Sequence, residues 1–187
     1  MLSVVGSFHL NGLSSSRSQS SPGFSGLIVG SLHLVKIGSG ELTFTGLNSY
    51  GGATTINAGT VTVSSLGNGS TASGIGASSN ANGNLVFNGG TLKYTGITSS
   101  TNRGFTIGST TAGGSATIDA SGTGALTFTA GTLSYGTANQ TRSLTLTGSS
   151  SPGILNVFAR NLTNNGSGAT SFTKSGTNTW VLTGANT

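Results

Sequence analysis

Three segments of this 187-residue chain repeat one pattern without gaps. They are TTINAGTVTV at 54–63, LVFNGGTLKY at 85–94 and LTFTAGTLSY at 126–135. Each has a short alternating run, a small turn ending in glycine, a threonine and a second alternating run. Because successive side chains of a strand point to opposite faces, this alternation predicts strand–turn–strand units. Repetition of such a unit indicates a stacked architecture.

The alternation also predicts which side chains face the core. The predicted inward residues are Ile56, Phe87 and Phe128 on the first run, and Val61, Leu92, Leu133, Val63, Tyr94 and Tyr135 on the second. The predicted outward residues beside the turn are Thr60, Thr91 and Thr132.

Composition favours the same fold class. Charged residues make up 5% of the chain, hydrophobic residues 33%, and glycine accounts for 33 positions. The residues that favour helices are sparse, while the apolar content is too high for a disordered chain. The fold class that remains is all-β, with many short strands and with turns of Gly, Asn and Ser.

We predict that the strands form a parallel β-helix, in which each coil stacks on the last. Coils of roughly 20–25 residues would give about seven or eight coils, and at about 4.8 Å per coil the rod would be about 35–40 Å long. Stacking would also align turn asparagines such as Asn48, Asn57 and Asn88 into ladders. The alternative is an antiparallel sandwich, because Asn88-Gly89 also suits a hairpin turn.

A longer motif begins twice in the chain. KIGSGELTFTGLN at 36–48 returns as KSGTNTWVLTGAN at 174–186, with Lys36 matched by Lys174 and Asn48 by Asn186. The first copy continues through YGGATTINAGTVTV, whereas only Thr187 follows the second. We expect this of a segment cut from a longer chain.

The pattern from Lys36 to Val61, K-x-G-x-G-x-L-T-F-T-G-x-N-x-Y-x-G-x-T-x-I-N-A-G-T-V, resembles the autotransporter-associated β-strand repeat of bacterial surface proteins. Segments 85–96, 117–136, 143–148 and 173–187 are similar to the unit that separates successive copies. The resemblance implies a right-handed parallel β-helix in the passenger of a long secreted or surface-displayed protein, where the repeat is associated with export and folding. We expect residues 1–31 to be an irregular segment or cap, including the Ser-rich 14–23, and residues 32–187 to be the β-helix.

The net charge of +5 reflects a shortage of acids, since the chain has seven Lys and Arg but only two Asp and Glu. The cations are Arg17, Lys36, Lys93, Arg103, Arg142, Arg160 and Lys174. They form no run that would follow phosphates, so we expect no nucleic-acid partner. There is no cysteine and no apolar stretch of the roughly 20 residues that a membrane span needs.

No arrangement of residues indicates catalysis, so we expect no enzymatic activity. Glu41 and Asp119 are the only carboxylates, and we interpret them as a solvated strand-start residue and a turn residue. His9 and His33 lie in no nucleophile motif, and His33 alternates with leucines as an exposed strand residue would. Two histidines and one aspartate do not form a zinc or calcium pattern. We therefore predict no catalytic, metal or cofactor site.

The function that fits is a structural rod that supports export, folding and display or adhesion at the bacterial surface. Its expected partners are other segments of the same long protein, a second copy end to end, and host or surface glycans. Tyr50 and Trp180 are the candidates for sugar stacking, although each also fits a packing role. A further alternative is ice binding through the outward pairs Thr43/Thr45, Thr60/Thr62, Thr127/Thr129 and Thr145/Thr147, whose irregular intervals do not require a shared face.

Overall fold

The protein is all-β in a computed structural model that describes residues 7–11, 27–108, 114–129, 131 and 133–187, with the backbone alone for 7–11. The strands of these residues are β1 (Ser7–Asn11), β2 (His33–Ile37), β3 (Glu41–Phe44), β4 (Thr54–Ile56), β5 (Thr60–Val63), β6 (Leu85–Phe87), β7 (Thr91–Tyr94), β8 (Ser99–Thr101), β9 (Phe105–Ile107), β10 (Ser115–Ala120), β11 (Leu126–Phe128), β12 (Leu133–Tyr135), β13 (Arg142–Thr147), β14 (Leu155–Phe158), β15 (Thr170–Lys174) and β16 (Thr179–Leu182). A three-residue 3-10 helix, Asn82–Asn84, precedes β6.

The described strands form three parallel sheets. Sheet I has the order β1-β2-β4-β6-β9-β12, sheet II the order β15-β13-β10-β7-β5-β3, and sheet III the order β16-β14-β11-β8. The chain visits the three sheets in turn: β6, β7 and β8 lie in sheets I, II and III, and β9, β10 and β11 repeat the circuit. The predicted parallel β-helix is therefore confirmed, and Asn88-Gly89 lies at a corner between two sheets instead of in a hairpin.

The coils are fewer than the seven or eight predicted. Within the described residues, sheets I and II hold six strands each and sheet III holds four. The reason is variable coil length: Leu34 stands opposite Thr54, whereas Thr54 stands opposite the much more distant Leu85. Turn insertions, such as the segment 64–84 between β5 and β6, lengthen a coil without adding a stacked strand.

The interior of the coil is a column of apolar side chains. Phe105 lies at its centre, with ring centroids 5.5 Å from Phe87, 6.0 Å from Phe128 and 6.3 Å from Phe158. Edge-to-face and tilted pairs at these distances are favourable beyond their buried area. The predicted inward residues are buried, apart from Leu133 and Tyr135, which are half-buried against the same core. Thr60 and Thr91 face outward as predicted, and Thr132 lies outside the described residues.

The sequence repeat and the stacking register do not coincide. Segments 54–63 and 85–94 both turn the corner from sheet I to sheet II, whereas 126–135 turns the corner from sheet III to sheet I. Phe128 consequently stands opposite Thr101 and Phe158, and not in the row of Phe87. The repeated unit is a corner that the chain uses on different faces.

The division at residue 31 stays a prediction. The Ser-rich segment 14–23 lies outside the described residues, while β1, within the same N-terminal region, pairs in parallel with β2. The handedness of the coil also stays a prediction. Among the described residues, no helix has the length and apolarity that crossing a membrane would take.

Candidate functional site

Lys36 organises the first repeat corner, which we define as residues 36–40, from the last two residues of β2 to the start of β3. Its side chain is 1% exposed, and Nζ donates to the carbonyl oxygens of Ile37 at 2.8 Å and Gly38 at 2.7 Å. A third bond, of 3.3 Å, reaches the carbonyl of Ala58 in the next coil. Burial lowers the pKa of Lys36, because desolvation disfavours the ammonium form. The ammonium group thus fastens the corner to the coil that covers it.

The second repeat corner, residues 174–178, runs from the last residue of β15 to the start of β16 and has the same construction. Lys174 Nζ donates to the carbonyls of Ser175 and, at 3.0 Å, Gly176. The backbone φ angles of Gly38 and Gly176 are 71° and 70°. The first corner joins sheets I and II, whereas the second joins sheets II and III. Lys174 is exposed, because no described coil supplies a carbonyl equivalent to that of Ala58.

The matched asparagines Asn48 and Asn186 hold the last residue of each motif copy against the preceding coil. Asn48 Oδ1 accepts from the backbone N–H of Ile28 at 3.0 Å, and Asn186 Oδ1 accepts from that of Leu162 at 2.9 Å. Both side chains therefore tie the end of the motif to the preceding coil, as a capping side chain does in a turn.

The predicted asparagine ladder is shorter than expected. Asn88 Nδ2 donates to Asn57 Oδ1 at 2.8 Å, so these two residues stack at one corner. Asn48 lies at a different corner and bridges Ser73, with Nδ2 on the carbonyl of Gly74. Asn48 is separate because it follows β3 of sheet II, whereas Asn57 and Asn88 follow β4 and β6 of sheet I.

The two aromatic residues considered for sugar binding pack inside. Tyr50 is fully buried, and its hydroxyl is 2.6 Å from Thr54 Oγ1. Trp180 is 9% exposed, and its Nε1 donates to the carbonyl of Thr147 at 3.2 Å. Neither ring presents a face to solvent, so the packing interpretation of both residues is confirmed.

Buried arginines are a feature that the sequence patterns did not reveal. Arg103 is 2% exposed, and its guanidinium donates to the carbonyls of Gly67, Thr71, Gly76 and Ser78 at 2.8–3.1 Å, and to Ser78 Oγ. Desolvation lowers the pKa of Arg103. A planar guanidinium with five donors can gather the carbonyls of one turn insertion in a way that no apolar side chain could.

Two other arginines are buried in the same manner. Arg160 is 1% exposed, lies 5.7 Å from the ring centroids of Phe105 and Phe128, and donates to the carbonyl of Arg103. Burial lowers its pKa to about 10. Arg142 is 2% exposed and donates to backbone carbonyls, including that of Gly108 at 3.2 Å. The sequence signal for Arg142 was its inward phase in RSLTLT, two residues before the buried Leu144 and therefore on the same face of the strand.

The residues weighed for catalysis are dispersed. Glu41 is exposed and accepts from Thr62 Oγ1, while Asp119 faces outward from β10 and accepts from Ser121 Oγ. His33 is exposed, with Nδ1 accepting from the N–H of Ala53 at 3.1 Å. The side chain of His9 lies outside the described residues. No group of three potential metal ligands occurs in the described part of the chain.

Most of the predicted outward threonines lie on one sheet, although their irregular intervals in sequence did not require a shared face. Thr43, Thr60 and Thr145 lie on sheet II, and only the Thr127/Thr129 pair belongs to sheet III. One outward row of sheet II, in consecutive register, is Thr60, Thr91, Thr117, Thr145 and Thr173. The stacking of unequal coils thus creates a threonine row whose neighbours are about 4.8 Å apart.

Comparison with known proteins identifies a repeat family and a relative. The passenger-associated-transport-repeat family model matches residues 34–63 and 172–187, which include both corners. The adhesin BmaC autotransporter of Brucella suis biovar 1 (strain 1330) is 44% identical over 168 residues, covering 89% of this chain and 5% of that protein. The chain therefore spans 5% of the length of this curated relative. No solved structure matches.

Proposed function

This chain carries passenger-associated-transport repeats, and on that premise we propose that it is a non-enzymatic rod segment of a bacterial surface adhesin. The rod would hold other parts of a long passenger away from the cell and support its folding during export. The observation that carries the proposal is the parallel ladder of the described strands, in which the first repeat corner fastens one coil to the next.

The charge distribution supports a spacer role. Lys36, Arg103, Arg142 and Arg160 direct their charges at backbone carbonyls inside the coil. Much of the +5 formal charge is therefore unavailable at the surface for phosphates or acidic partners. A surface built from Thr, Ser, Asn and Gly suits a rod with few attachments of its own.

The folding mechanism follows from the contacts. Each coil contacts its neighbours through strand ladders, so coils can add one after another as the chain emerges, with an approximately additive gain in stability. Each added coil closes only the loop to its neighbour, such as the loop from Leu34 to Thr54. We propose that this suits export of an unfolded passenger, with the rod ending outside the cell.

A first experiment locates the native product. Antibody raised against this chain should detect, on intact source cells, a protease-accessible product far larger than the 18.3 kDa of this chain. Mass spectrometry of the surface fraction should identify peptides from the chain within that product. An intracellular product no larger than the chain itself would contradict the proposal.

A second experiment tests whether the coil itself is needed for display. Phe128→Asp in the full-length gene places a charge in the buried column, whereas Thr127→Asp alters the outward neighbour on the same strand. We expect Phe128→Asp to reduce surface display of the whole passenger and Thr127→Asp to leave it unchanged. Equal display of both variants would mean that the rod is dispensable for export.

The threonine row of sheet II favours ice binding as a second candidate function. Its hydroxyl and methyl groups repeat at the coil spacing along one face, from Thr60 to Thr173. Thr117→Lys, at the centre of the row, should abolish thermal hysteresis in a freezing assay, whereas Thr127→Lys on sheet III should retain it. Absence of hysteresis in the unaltered protein would exclude this candidate.

A further inference from the structure

The corner between β8 and β9, residues 102–104, is tied to a segment that comes earlier in the chain, and we call it the arginine corner. Arg103 directs its guanidinium at four backbone carbonyls of the turn insertion 67–78, which lie 25 to 36 residues before it. The backbone takes part as well, because the N–H of Asn102 donates to Asn68 Oδ1 at 2.9 Å. The insertion is thus closed by groups that follow it by one complete coil, β6 to β8.

The same corner is tied to a segment that comes later in the chain. Arg160, which follows β14, donates from its guanidinium to the carbonyl of Arg103, 57 residues earlier. The guanidinium lies 5.7 Å from the ring centroids of Phe105 and Phe128, where cation–π attraction adds to the hydrogen bond. In sheet III, β11 stands between β8 and β14, so this contact passes over a whole coil.

A glycine leaves room for this long contact. Gly131 follows β11, in the coil between the two arginines, and a Cβ at this position would lie 2.6 Å from Nη1 of Arg160. A side chain at residue 131 would therefore displace the guanidinium. The space that Gly131 leaves open is what allows Arg160 to reach the arginine corner.

We propose that Arg103 and Arg160 form an axial clamp, which makes the turn insertion 67–78 and the coil that ends in β14 open together instead of separately. Both guanidinium groups are buried, and a buried charge that loses its hydrogen bonds is strongly destabilising. Opening one end alone leaves a guanidinium without acceptors inside the coil, whereas opening the whole clamp lets water reach both charges. The two ends are therefore coupled through the arginine corner.

The clamp adds a connection that strand ladders do not supply. Ladders join each coil only to the next, so in a rod held by ladders alone one coil opens independently of distant coils. The arginines connect coils that are not adjacent, at the corner between sheets III and I. The inference concerns the interior of the rod and holds whether or not the rod serves in export.

Native-state hydrogen exchange of the 187-residue protein tests this coupling. The probes are the amides of Ser70, Gly74 and Ala77, which lie in the turn insertion and donate to backbone carbonyls. The reference amides are those of Thr95 and Ser121, which are bonded between coils at the end of sheet II and away from the arginines. The measured quantity is the exchange rate of the insertion amides relative to the reference amides.

Three variants distinguish the clamp from a general loss of stability. Arg160→Met should raise the relative exchange rate of the insertion about 10- to 100-fold, because a hydrogen bond from a charged donor contributes about that factor to an equilibrium. Gly131→Ala keeps the arginine but moves its guanidinium, so the ratio should rise in the same direction. Lys93→Met removes a positive charge from the outward face of β7 and should leave the ratio unchanged.

An unchanged ratio in Arg160→Met would overturn the clamp in either of two forms. Faster exchange confined to residues 155–163 would mean that Arg160 has only a local packing role. Equal acceleration of the insertion and reference amides would mean that the variant lowers global stability without coupling the two ends. If Arg160→Met does not fold, the ratio in Gly131→Ala decides between the same outcomes. Surface display in cells enters neither measurement, so this inference and the proposed function fail separately.

Discussion

Gly59 gives the sharpest test of how the coils stack, because it combines two separable requirements. Its φ angle is +67°, and a Cβ at this position would lie 2.3 Å from the carbonyl oxygen of Gly40 and 2.5 Å from that of Gly38. Those oxygens belong to the preceding coil, so the overlap exists only if the corners are stacked.

Two other glycines separate the contributions. Gly30 has a φ of +91° with nothing within 4 Å of a Cβ, so Gly30→Ala introduces backbone strain alone. Gly83 has open space and no left-handed φ, so Gly83→Ala introduces neither. All three substitutions reduce the flexibility of the unfolded chain in the same way, which makes them a matched set.

The expected losses in the free energy of unfolding differ in order. Strain alone should cost about 1–2 kcal/mol for Gly30→Ala, and the added overlap with rigid backbone should bring Gly59→Ala to about 2–5 kcal/mol. Gly83→Ala should stay within about 0.5 kcal/mol of the unaltered protein. Urea unfolding followed by circular dichroism would measure all three. Equal losses for Gly59→Ala and Gly30→Ala would refute the stacked corner.

Three further outcomes are expected. Phe128→Asp should lower the melting midpoint severely, because it buries an unpaired charge, and Thr127→Asp should leave it nearly unchanged; equal shifts would mean that the inward and outward phases are wrong. Burial raises the pKa of Tyr50, so above pH 10.0 the unfolded chain releases a proton that the folded chain keeps, and stability should fall by about 1.4 kcal/mol per pH unit. In Tyr50→Phe the pH profile of urea midpoints should be shallower above pH 10.0, and an unchanged slope would contradict this assignment. Arg103→Met should cost about 3 kcal/mol or more in urea unfolding by leaving several carbonyls unpaired, and a neutral result would show that water replaces the guanidinium.

Part of the candidate site could be predicted from the sequence. Alternation correctly placed Ile56, Phe87 and Phe128 inside, and the matched motifs correctly marked Lys36 and Lys174 as equivalent residues. What the ammonium binds was not predictable, because its third acceptor is the carbonyl of Ala58, in another coil. Local patterns carry no information about which carbonyl the stacking will place overhead.

The burial of the arginines also could not be predicted from local sequence patterns. A lone Arg103 between Asn102 and Gly104 has no periodic signal, and charge alone predicts exposure. The structure buries it because the turn insertion 67–78 wraps around it with its carbonyls directed inward. Unpaired carbonyls of an irregular loop need donors, and a guanidinium supplies them.

The sequence by itself determined the all-β class and the inward phase of the strands, because these depend on period-two alternation and on short-range turn chemistry, and its repeats favoured a parallel coil over an antiparallel sandwich. Only the tertiary structure decided the number of coils, the sheet on which each copy of the motif lies and the row from Thr60 to Thr173. Those features depend on how coils of unequal length, such as those that begin at Leu34 and at Thr54, are brought into register. Hydrogen bonding between strands aligns the strands while insertions bulge at the corners, so spatial neighbours are set by the ladder and not by equal spacing along the chain.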